Sequence, residues 1–293
     1  MTRILVVGKS GQVAQALVSV GGDRIICPGR PIVDLLDADS QLSALDRYEP
    51  MAVINTGAFT AVDGAEADAD GAYALNAEGP GYLAVACARR GVPLIHMSTD
   101  CVFDGAKDSP YTPNDTPNPL GVYGKTKLQG EVAVREGTER SLVVRVSWIF
   151  SRFGGNFVRT MLRVAQTRDA VSVVSDQVGC PTHAPDLARA LITIAEHAAK
   201  PGFDSWGVYH VAGAGETDRA SMTRRIYEVS KELGGPVADV NGILTADYPT
   251  PAQRPLNARL DMAETRRVFG IEMPDWNIGL SETVSAIIAE PAQ

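Results

Sequence analysis

The amino-terminal segment places a short apolar run directly before a glycine-rich turn and a helical stretch. Residues 3–7 (RILVV) have the composition of a strand buried in a parallel sheet. The run continues into Gly8, Gly11 and Ala14 with the spacing G-x-x-G-x-x-A, and a helical pattern extends to about residue 20. Such a turn lets the backbone approach a pyrophosphate, and the helix N-terminus offers it free N–H groups. We therefore expect a nucleotide site here, the alternative being a glycine turn that binds nothing.

Strand and helix signals alternate along most of the chain. Further strands are predicted at 24–27, 52–54, 92–95, 142–144 and 171–174, and helices at 40–48, 70–90, 123–136 and 156–168. This alternation predicts an α/β fold, a Rossmann-like doubly wound parallel sheet. After about residue 200 the pattern loosens into a proline-punctuated loop and two helices, near 261–269 and 278–289. We expect a nucleotide-binding domain (1–150 and about 169–200) interleaved with a smaller C-terminal substrate-binding lobe (about 151–168 and 201–293), with the site between them.

The end of the second predicted strand bears on the choice of nucleotide. Arg30 follows this strand after Pro28 and Gly29. An acidic residue at this point binds the ribose 2′-hydroxyl of NAD, whereas an arginine suits the 2′-phosphate of NADP. Arg30 therefore favours NADPH, with NADH possible, unless it is a solvated loop arginine. Asp34 and Leu35 lie where the next loop would pass the adenine.

Tyr123 and Lys127 are four residues apart, downstream of Ser98 and Thr99. Positions i and i+4 share one face of a helix, so both side chains can point into one pocket. A lysine cation beside a tyrosine favours the phenolate and lowers a pKa that is ordinarily about 10. A hydroxyl from Thr99 or Ser98 can hold a carbonyl oxygen. The set suits proton-coupled hydride transfer, the alternative being a packed tyrosine beside a solvated lysine.

Composition excludes several classes of protein. The 293 residues carry a net charge of −8, and the chain lacks the basic stripe of a nucleic-acid binder. No apolar run approaches the ~20 residues of a membrane helix, and the chain enters a strand at once, so we expect no membrane partner and no signal peptide. The cysteines (Cys27, Cys87, Cys101 and Cys180) are scattered, as in a reduced cytoplasmic protein. Neither they nor the four histidines predict a metal site.

Seven blocks of sequence, in order along nearly the whole chain, resemble a known family. They are 8–13 (GKSGQV), 55–66 (NTGAFTAVDGAE), 98–105 (STDCVFDG), 119–127 (PLGVYGKTK), 145–150 (RVSWIF), 176–182 (DQVGCPT) and 248–261 (YPTPAQRPLNARLD). Together with Thr99, Tyr123 and Lys127, they resemble the extended short-chain dehydrogenase/reductases, and among these the dTDP-4-dehydrorhamnose reductases. Members of that family reduce the C4 ketone of dTDP-4-dehydro-L-rhamnose with NADPH, the last step of dTDP-L-rhamnose synthesis.

The resemblance implies roles for individual residues. Tyr123 would be the general acid, Lys127 would tune it and bind a ribose hydroxyl, and Thr99 would bind the C4 oxygen. Gly11, Gln12 and Val13 would meet the pyrophosphate of the cofactor. The other cofactor residues beside Gly8 and Arg30 would be Asp34 and Leu35 at the adenosine, and Ala58, Phe59 and Thr60 at the ribose and nicotinamide. Asp100 and Trp148 would lie beside the sugar, and Arg254 would reach the substrate diphosphate. Core packing is the alternative for Trp148, and a surface role for Arg254.

The chain departs from the family pattern at four places. Ala14 replaces a glycine, Cys101 stands where many relatives have tyrosine, and Asp218 and Arg219 stand where relatives often have Ser-Trp. Some relatives place a divalent metal at a dimer contact with acids on the first helix, but residues 10–21 contain no acid, so we expect no such metal.

Three functions stay open from the sequence. The first is the reductase, as a monomer or homodimer with a dTDP-sugar substrate. The second is a reductase of another dTDP-4-keto-6-deoxyhexose, since the C4 configuration depends on the pose of the sugar. The third is a non-catalytic nucleotide-binding regulatory subunit, against which the intact Thr99, Tyr123 and Lys127 count.

Overall fold

A computed structural model describes residues 3–290 of the chain. Its strands, numbered in chain order, are β1 (Ile4–Val7), β2 (Ile25–Ile26), β3 (Ala52–Asn55), β4 (Leu94–Thr99), β5 (Ser141–Val146), β6 (Ile149–Phe150), β7 (Ala170–Val174), β8 (Val178–Gly179), β9 (Thr182–His183), β10 (Gly207–Val211), β11 (Thr217–Asp218), β12 (Asp239–Ile243) and β13 (Asn257–Ala258). Its α-helices are α1 (Gln12–Gly21), α2 (Ala38–Tyr48), α3 (Val62–Ala67), α4 (Ala69–Tyr73), α5 (Gly79–Arg90), α6 (Val122–Gly137), α7 (Phe157–Ala165), α8 (Ala184–Ala198), α9 (Arg219–Glu232), α10 (Ala263–Phe269) and α11 (Trp276–Ile288).

A parallel sheet with the order β2-β1-β3-β4-β5-β10 forms the centre of the molecule. The four inner strands, β1, β3, β4 and β5, are buried on both faces, and successive side chains enter different cores. Ile4 and Val6 of β1 pack with α1 and α8, whereas Leu5 and Val7 pack with α2, α5 and α6. The predicted doubly wound fold is confirmed.

The order of the strands reverses between β1 and β3. After β2 the chain crosses to the other side of β1, so the connections following β1 and β3 diverge at their carboxyl ends. In open α/β sheets, ligands bind in the crevice at such a switch point. The carboxyl ends of β1, β3 and β4 are therefore the expected place for a site.

The C-terminal part of the chain adds a second core and three small sheets. The sheets are β12-β7, β11-β8-β13 and β6-β9. Their core joins α7, α9 and α11 through side chains such as Leu162, Ile226 and Leu280.

Two segments differ from the sequence interpretation. Ala170–Val174, assigned to the nucleotide-binding domain, pairs with β12 outside the central sheet, and Gly207–Val211, assigned to the smaller lobe, completes that sheet beside β5.

The alternation of burial along β7 explains this correction. Val171 and Val173 are buried while Ala170 and Ser172 are exposed, which is the pattern of a strand covered on one face. A strand inside the central sheet is covered on both. The division into two interleaved domains stays a prediction with this change of strand membership.

The predicted helix at 70–90 is a succession of three elements. It comprises α4, a π-helical turn at Ala74–Glu78 and α5. The π turn carries Asn76, which is fully buried and hydrogen-bonded to the backbone of Phe59 in the loop after β3. Single π turns within helices are often found at functional sites.

In the part of the chain that the structure describes, no helix has both the length and the apolar content to cross a bilayer.

Helix α6 packs closely on this π turn through Gly130. A Cβ built at Gly130 would overlap the backbone carbonyl oxygen of Asn76. We expect Gly130→Ala to lower the free energy of unfolding by about 1–3 kcal/mol, because overpacking outweighs the gain in helix propensity. Gly81→Ala in α5 is the matched control, since its Cβ would meet only Ala133 Cβ, at 3.3 Å. Denaturant unfolding checks both variants, and equal stabilities would show that the α6 contact is not close.

Candidate active site

A cleft of about 800 Å³ opens at the carboxyl ends of β1, β3 and β4. One wall is formed by the central sheet, α1 and α6, and the other by segments of the C-terminal part of the chain. Its size is in the usual range for a small-molecule site. The predicted residues Gly11, Gln12, Val13, Ala58, Thr60, Thr99, Asp100, Tyr123, Lys127, Trp148 and Arg254 line it.

The N-terminus of α1 forms one end of the cleft. Gly8 has φ +98°, and a Cβ there would lie 2.7 Å from Thr56 Oγ1 and 2.9 Å from Gly57 N. Gly11, by contrast, has open space where a Cβ would project. It caps α1 without a side-chain hydrogen bond, and the first turn of the helix holds no acid. Free N–H groups at an accessible helix N-terminus match the pyrophosphate of a dinucleotide. Ala14, in the third small position, is fully buried.

Arg30, Asp34 and Leu35 lie outside the walls of the cleft. Arg30 is exposed just after β2, and no carboxylate of residues 3–290 forms an ion pair with it. Asp34 shapes its own loop, because its Oδ1 accepts the Leu36 N–H at 3.0 Å. Leu35 is buried and packs beside Gly57. Leu35 therefore supports the loop that follows β3. Arg30 can bind an anion, because no described carboxylate is paired with it.

Asn76 holds the loop that follows β3. Its Oδ1 accepts the Phe59 N–H at 2.8 Å, and its Nδ2 lies 3.2 Å from the Phe59 carbonyl and 3.0 Å from Thr126 Oγ1. The loop is thus tied to α6, with Ala58 and Thr60 facing the cleft and Phe59 turned out of its walls. Sequence reasoning missed Asn76, which was hidden within a long helical pattern.

Thr99, Tyr123 and Lys127 meet where β4 ends and α6 begins. Burial, followed by the Cys101 thiol, raises the pKa of Tyr123, and the Thr99 hydroxyl opposes this. The sequence predicted that Lys127 would lower the pKa of Tyr123. This prediction is wrong, because desolvation of the buried phenol has the larger effect and raises its pKa. Tyr123 is a neutral phenol at pH 7.

The ammonium of Lys127 is directed at the sheet. Nζ donates to the Met97 carbonyl at 2.7 Å and lies 3.5 Å from His96 Nε2. Burial lowers the pKa of Lys127 to about 8, and Glu131 opposes this. An ammonium has three donors, so the lysine keeps donor capacity for a ligand.

A buried ion pair holds α6 against β4 and β5. Glu131 accepts from Arg145 through two bonds, of 2.9 Å and 2.7 Å, and from Ser98 Oγ at 2.5 Å. Both members of the pair are about 4% exposed. A bidentate, desolvated pair fixes its two elements in register, and removal of one partner leaves a buried charge.

Asp100 follows Thr99 at the base of the cleft. Its Oδ1 accepts from Thr99 Oγ1 at 2.8 Å, and its Oδ2 lies 2.9 Å from Ser147 Oγ. Burial raises the pKa of Asp100, and the hydrogen bonds from Thr99 and Ser147 oppose this. Both carboxylate oxygens are occupied within the protein, and Asp100 accepts the single hydroxyl proton of Thr99.

Trp148 adopts an unusual backbone conformation. Its φ is +47°, in the left-handed region that bulky residues rarely adopt. The indole packs against Gly179, where a Cβ would approach to 2.6 Å. Such strain persists only where its surroundings hold it, and it is concentrated at ligand sites. Trp148 lines the cleft, which argues against core packing as its sole role.

Arg254 enters the cleft from the opposite wall. Its Nη2 donates to Asp63 Oδ2 at 2.8 Å, while Asp63 Oδ1 accepts the Ala252 N–H at 3.1 Å. Nη1 is buried without a hydrogen-bond partner among the described residues. Arg254 is therefore oriented by Asp63 and has a donor left for a ligand. Asp63 was not identified from the sequence as an orienting residue.

The departures Cys101, Asp218 and Arg219 lie at or beside the cleft. Burial raises the pKa of the Cys101 thiol, which is neutral. Asp218 caps α9 by accepting from Ser221 N at 2.8 Å and Ser221 Oγ at 2.5 Å. Arg219 lines the cleft itself, a position that the sequence signalled only as a departure. Residues 3–290 contain no cluster of three or more potential metal ligands from His, Cys, Asp and Glu.

Known proteins share both the sequence and the architecture. The family model described as RmlD substrate binding domain matches residues 1–288. A dTDP-4-dehydrorhamnose reductase of Sinorhizobium fredii is 41% identical over 291 residues, covering 98% of each chain. The crystal structure of a dTDP-4-dehydrorhamnose reductase from Clostridium acetobutylicum superposes with a TM-score of 0.90 at 31% identity, covering 98% of this chain and 100% of the other.

The corresponding Bacillus anthracis enzyme was solved in complex with NADP. It also gives a TM-score of 0.90, at 28% identity, over 98% of this chain and 100% of the other. The family match and the 41% identity, each over nearly the full length, establish that this chain belongs to the RmlD family of dTDP-4-dehydrorhamnose reductases.

Proposed function

We propose that this chain reduces the C4 ketone of dTDP-4-dehydro-L-rhamnose with NADPH and forms dTDP-L-rhamnose, a precursor of cell-surface polysaccharide. The observation that carries the proposal is the placing of Thr99 and Tyr123 in one cleft, between a free helix N-terminus and an arginine with an unused donor. A dinucleotide, a ketone and a diphosphate can thus be bound side by side. The names of the relatives and the NADP in the Bacillus anthracis structure support the same chemistry.

The proposed binding site of the cofactor is the N-terminus of α1. Gly11, Gln12 and Val13 would hold the pyrophosphate, Arg30 the 2′-phosphate and Lys127 a ribose hydroxyl. Asp34 and Leu35 would flank the adenosine, while Ala58, Phe59 and Thr60 would form the nicotinamide side. NADPH, when bound, supplies the hydride.

Tyr123 would donate the proton to the C4 oxygen. The Thr99 hydroxyl donates its one proton to Asp100 in this structure and would turn that proton to the C4 oxygen when the substrate binds. The raised pKa of Tyr123 keeps the phenolic proton in place until it is needed. As the hydride forms the new C4–H bond, the carbonyl π electrons move to oxygen. The oxygen then takes the phenolic proton, because an alkoxide is more basic than a phenolate. The products are the alcohol and NADP⁺, and the phenolate regains a proton from solvent.

The substrate would span both walls of the cleft. Trp148 and Asp100 would lie beside the hexose, and Arg254 would bind the diphosphate. The smaller lobe would then supply substrate affinity while the central sheet supplies the chemistry. The four free cysteines suit a reducing cytoplasm, which we propose as the location, for a monomer or homodimer.

The experiment that tests the proposal follows NADPH oxidation with dTDP-4-dehydro-L-rhamnose and identifies the product by NMR. We expect stoichiometric formation of dTDP-L-rhamnose. A product of the other C4 configuration would assign the chain to a different 4-keto-6-deoxyhexose. An absence of turnover, with nucleotide binding intact, would favour a regulatory subunit.

Tyr123→Phe tests the proton donor. General-acid catalysis contributes about 10²–10⁴-fold, so we expect kcat to fall by at least ~100-fold, with little change in NADPH affinity. Tyr82→Phe, an exposed position on α5, is the control and should keep full activity. Stopped-flow turnover and cofactor titration measure both quantities. Near wild-type kcat in Tyr123→Phe would remove this residue from the mechanism.

Arg254→Ala tests the diphosphate contact. The arginine is remote from the reacting carbonyl, so we expect KM for the nucleotide sugar to rise much more than kcat falls, the signature of lost uniform binding. The inhibition constant of dTDP should rise in parallel. Arg266→Ala, an exposed arginine paired with Glu272, serves as control. Equal dTDP inhibition of Arg254→Ala and wild type would leave Arg254 with a surface role only.

Arg30→Ala tests the choice of cofactor. An arginine–phosphate contact is charge-assisted, so its loss should weaken NADPH and leave NADH nearly unchanged. Arg24→Ala removes an exposed arginine nearby that is paired with Glu196, and should change neither affinity. Fluorescence titration with the two cofactors makes the comparison. Equal weakening of both by Arg30→Ala would show that Arg30 does not bind the 2′-phosphate.

A further inference from the structure

Arg219 is a cation on the cleft wall without an ion-pair partner among residues 3–290. It is the first residue of α9, and its side chain is half-buried. No carboxylate of residues 3–290 lies within the 4.0 Å of an ion pair, and its guanidinium forms no hydrogen bond within that part of the chain. The adjacent Asp218 is occupied in capping α9. A desolvated arginine is normally paired, so this one has capacity for an anion.

Two aromatic rings fix the direction of this guanidinium. Its central carbon lies 3.5 Å from the Trp148 ring centroid and 4.9 Å from that of Phe157. Stacking on a ring face leaves the N–H groups, which lie in the guanidinium plane, free to bind a ligand. Because Trp148 is itself held by its backbone and by Gly179, the arginine is preorganised toward the space beside the proposed hexose site.

Asp100 compensates the charge of Arg219 only from beyond ion-pair distance. Burial lowers its pKa to about 10, opposed mainly by Asp100, so the guanidinium stays protonated at neutral pH. The oxygens of Asp100 are engaged with Thr99 and Ser147. Arg254, the other guanidinium of this wall, is already paired with Asp63. Arg219 therefore supplies positive charge that a bound anion can neutralise.

We infer that Arg219 is a substrate-binding residue of this chain that donates to the sugar-linked phosphate of the nucleotide sugar, with Arg254 serving the phosphate next to the nucleoside. The inference rests on the proposed function and refines it. The stack on Trp148 places Arg219 at the hexose end of the substrate, where the second phosphate begins. The cofactor phosphates belong to the α1 wall and do not compete for it.

The test compares dTDP with dTMP, which lacks the second phosphate. Both are titrated calorimetrically into the NADP⁺-bound full chain, as wild type, Arg219→Met and Arg219→Gln. We expect dTDP to bind about 10- to 100-fold more weakly to both variants, as for loss of a charge-assisted hydrogen bond, while dTMP affinity is unchanged. Arg225→Met, on the same helix and paired with Glu228 at an exposed site, should match wild type.

A loss of affinity for dTDP but not for dTMP distinguishes a lost phosphate contact from a general defect in folding. Unchanged dTDP affinity, or equal loss for dTDP and dTMP, would overturn the assignment. If Arg219→Met lowers the melting temperature, Arg219→Gln, which keeps a planar group over Trp148, decides the outcome. Failure of the proposed function would appear separately, as absent turnover of the dTDP-sugar by wild type that still binds dTDP.

Discussion

The close seating of α6 on the sheet and on the π turn fixes the geometry of the cleft. Two glycines make it possible, because a Cβ at Gly124 would overlap the Cys101 carbonyl and one at Gly130 would overlap the Asn76 carbonyl. The buried pair of Glu131 and Arg145 then holds the helix in register. As a result the first turn of α6 lies against the carboxyl end of β4, and Tyr123 and Thr99 line the same cleft.

This seating also sets the electrostatics of the cleft. The groups that α6 and β4 bring together are desolvated, so Tyr123 stays a phenol and Asp100 has a raised pKa, while the pKa of Lys127 is lowered. Arg219 and the N-terminus of α1 place positive charge on the walls of the cleft. The proposed proton donor thus lies between two ends of the cleft that could bind anions, which would suit a ketone carried on a diphosphate and reduced by a dinucleotide.

Much of this arrangement could be predicted from the sequence. The first strand and glycine turn, the i, i+4 pair and the family motifs are local patterns. They indicated the doubly wound sheet, and most of the site residues that they predicted line the cleft. Long-range pairing could not be predicted in the same way. The placing of β7 beside β12 and of β10 beside β5 depends on partners far along the chain. The pKa of Tyr123 depends on burial, which spacing does not report. The sequence showed Arg219 only as a departure from the family pattern. Its stacking on Trp148 could not be predicted, because that residue is 71 positions away in the sequence.

In the proposed reaction the cleft brings the hydride donor and the C4 ketone together beside Tyr123. The most direct test of this proposal is a turnover with NADPH deuterated at the transferred position of the nicotinamide, followed by NMR of the sugar product. We expect one deuterium, attached to C4 of the hexose, and no deuterium in the solvent. Deuterium at another carbon, or a reduced sugar without the label, would contradict direct transfer at this site.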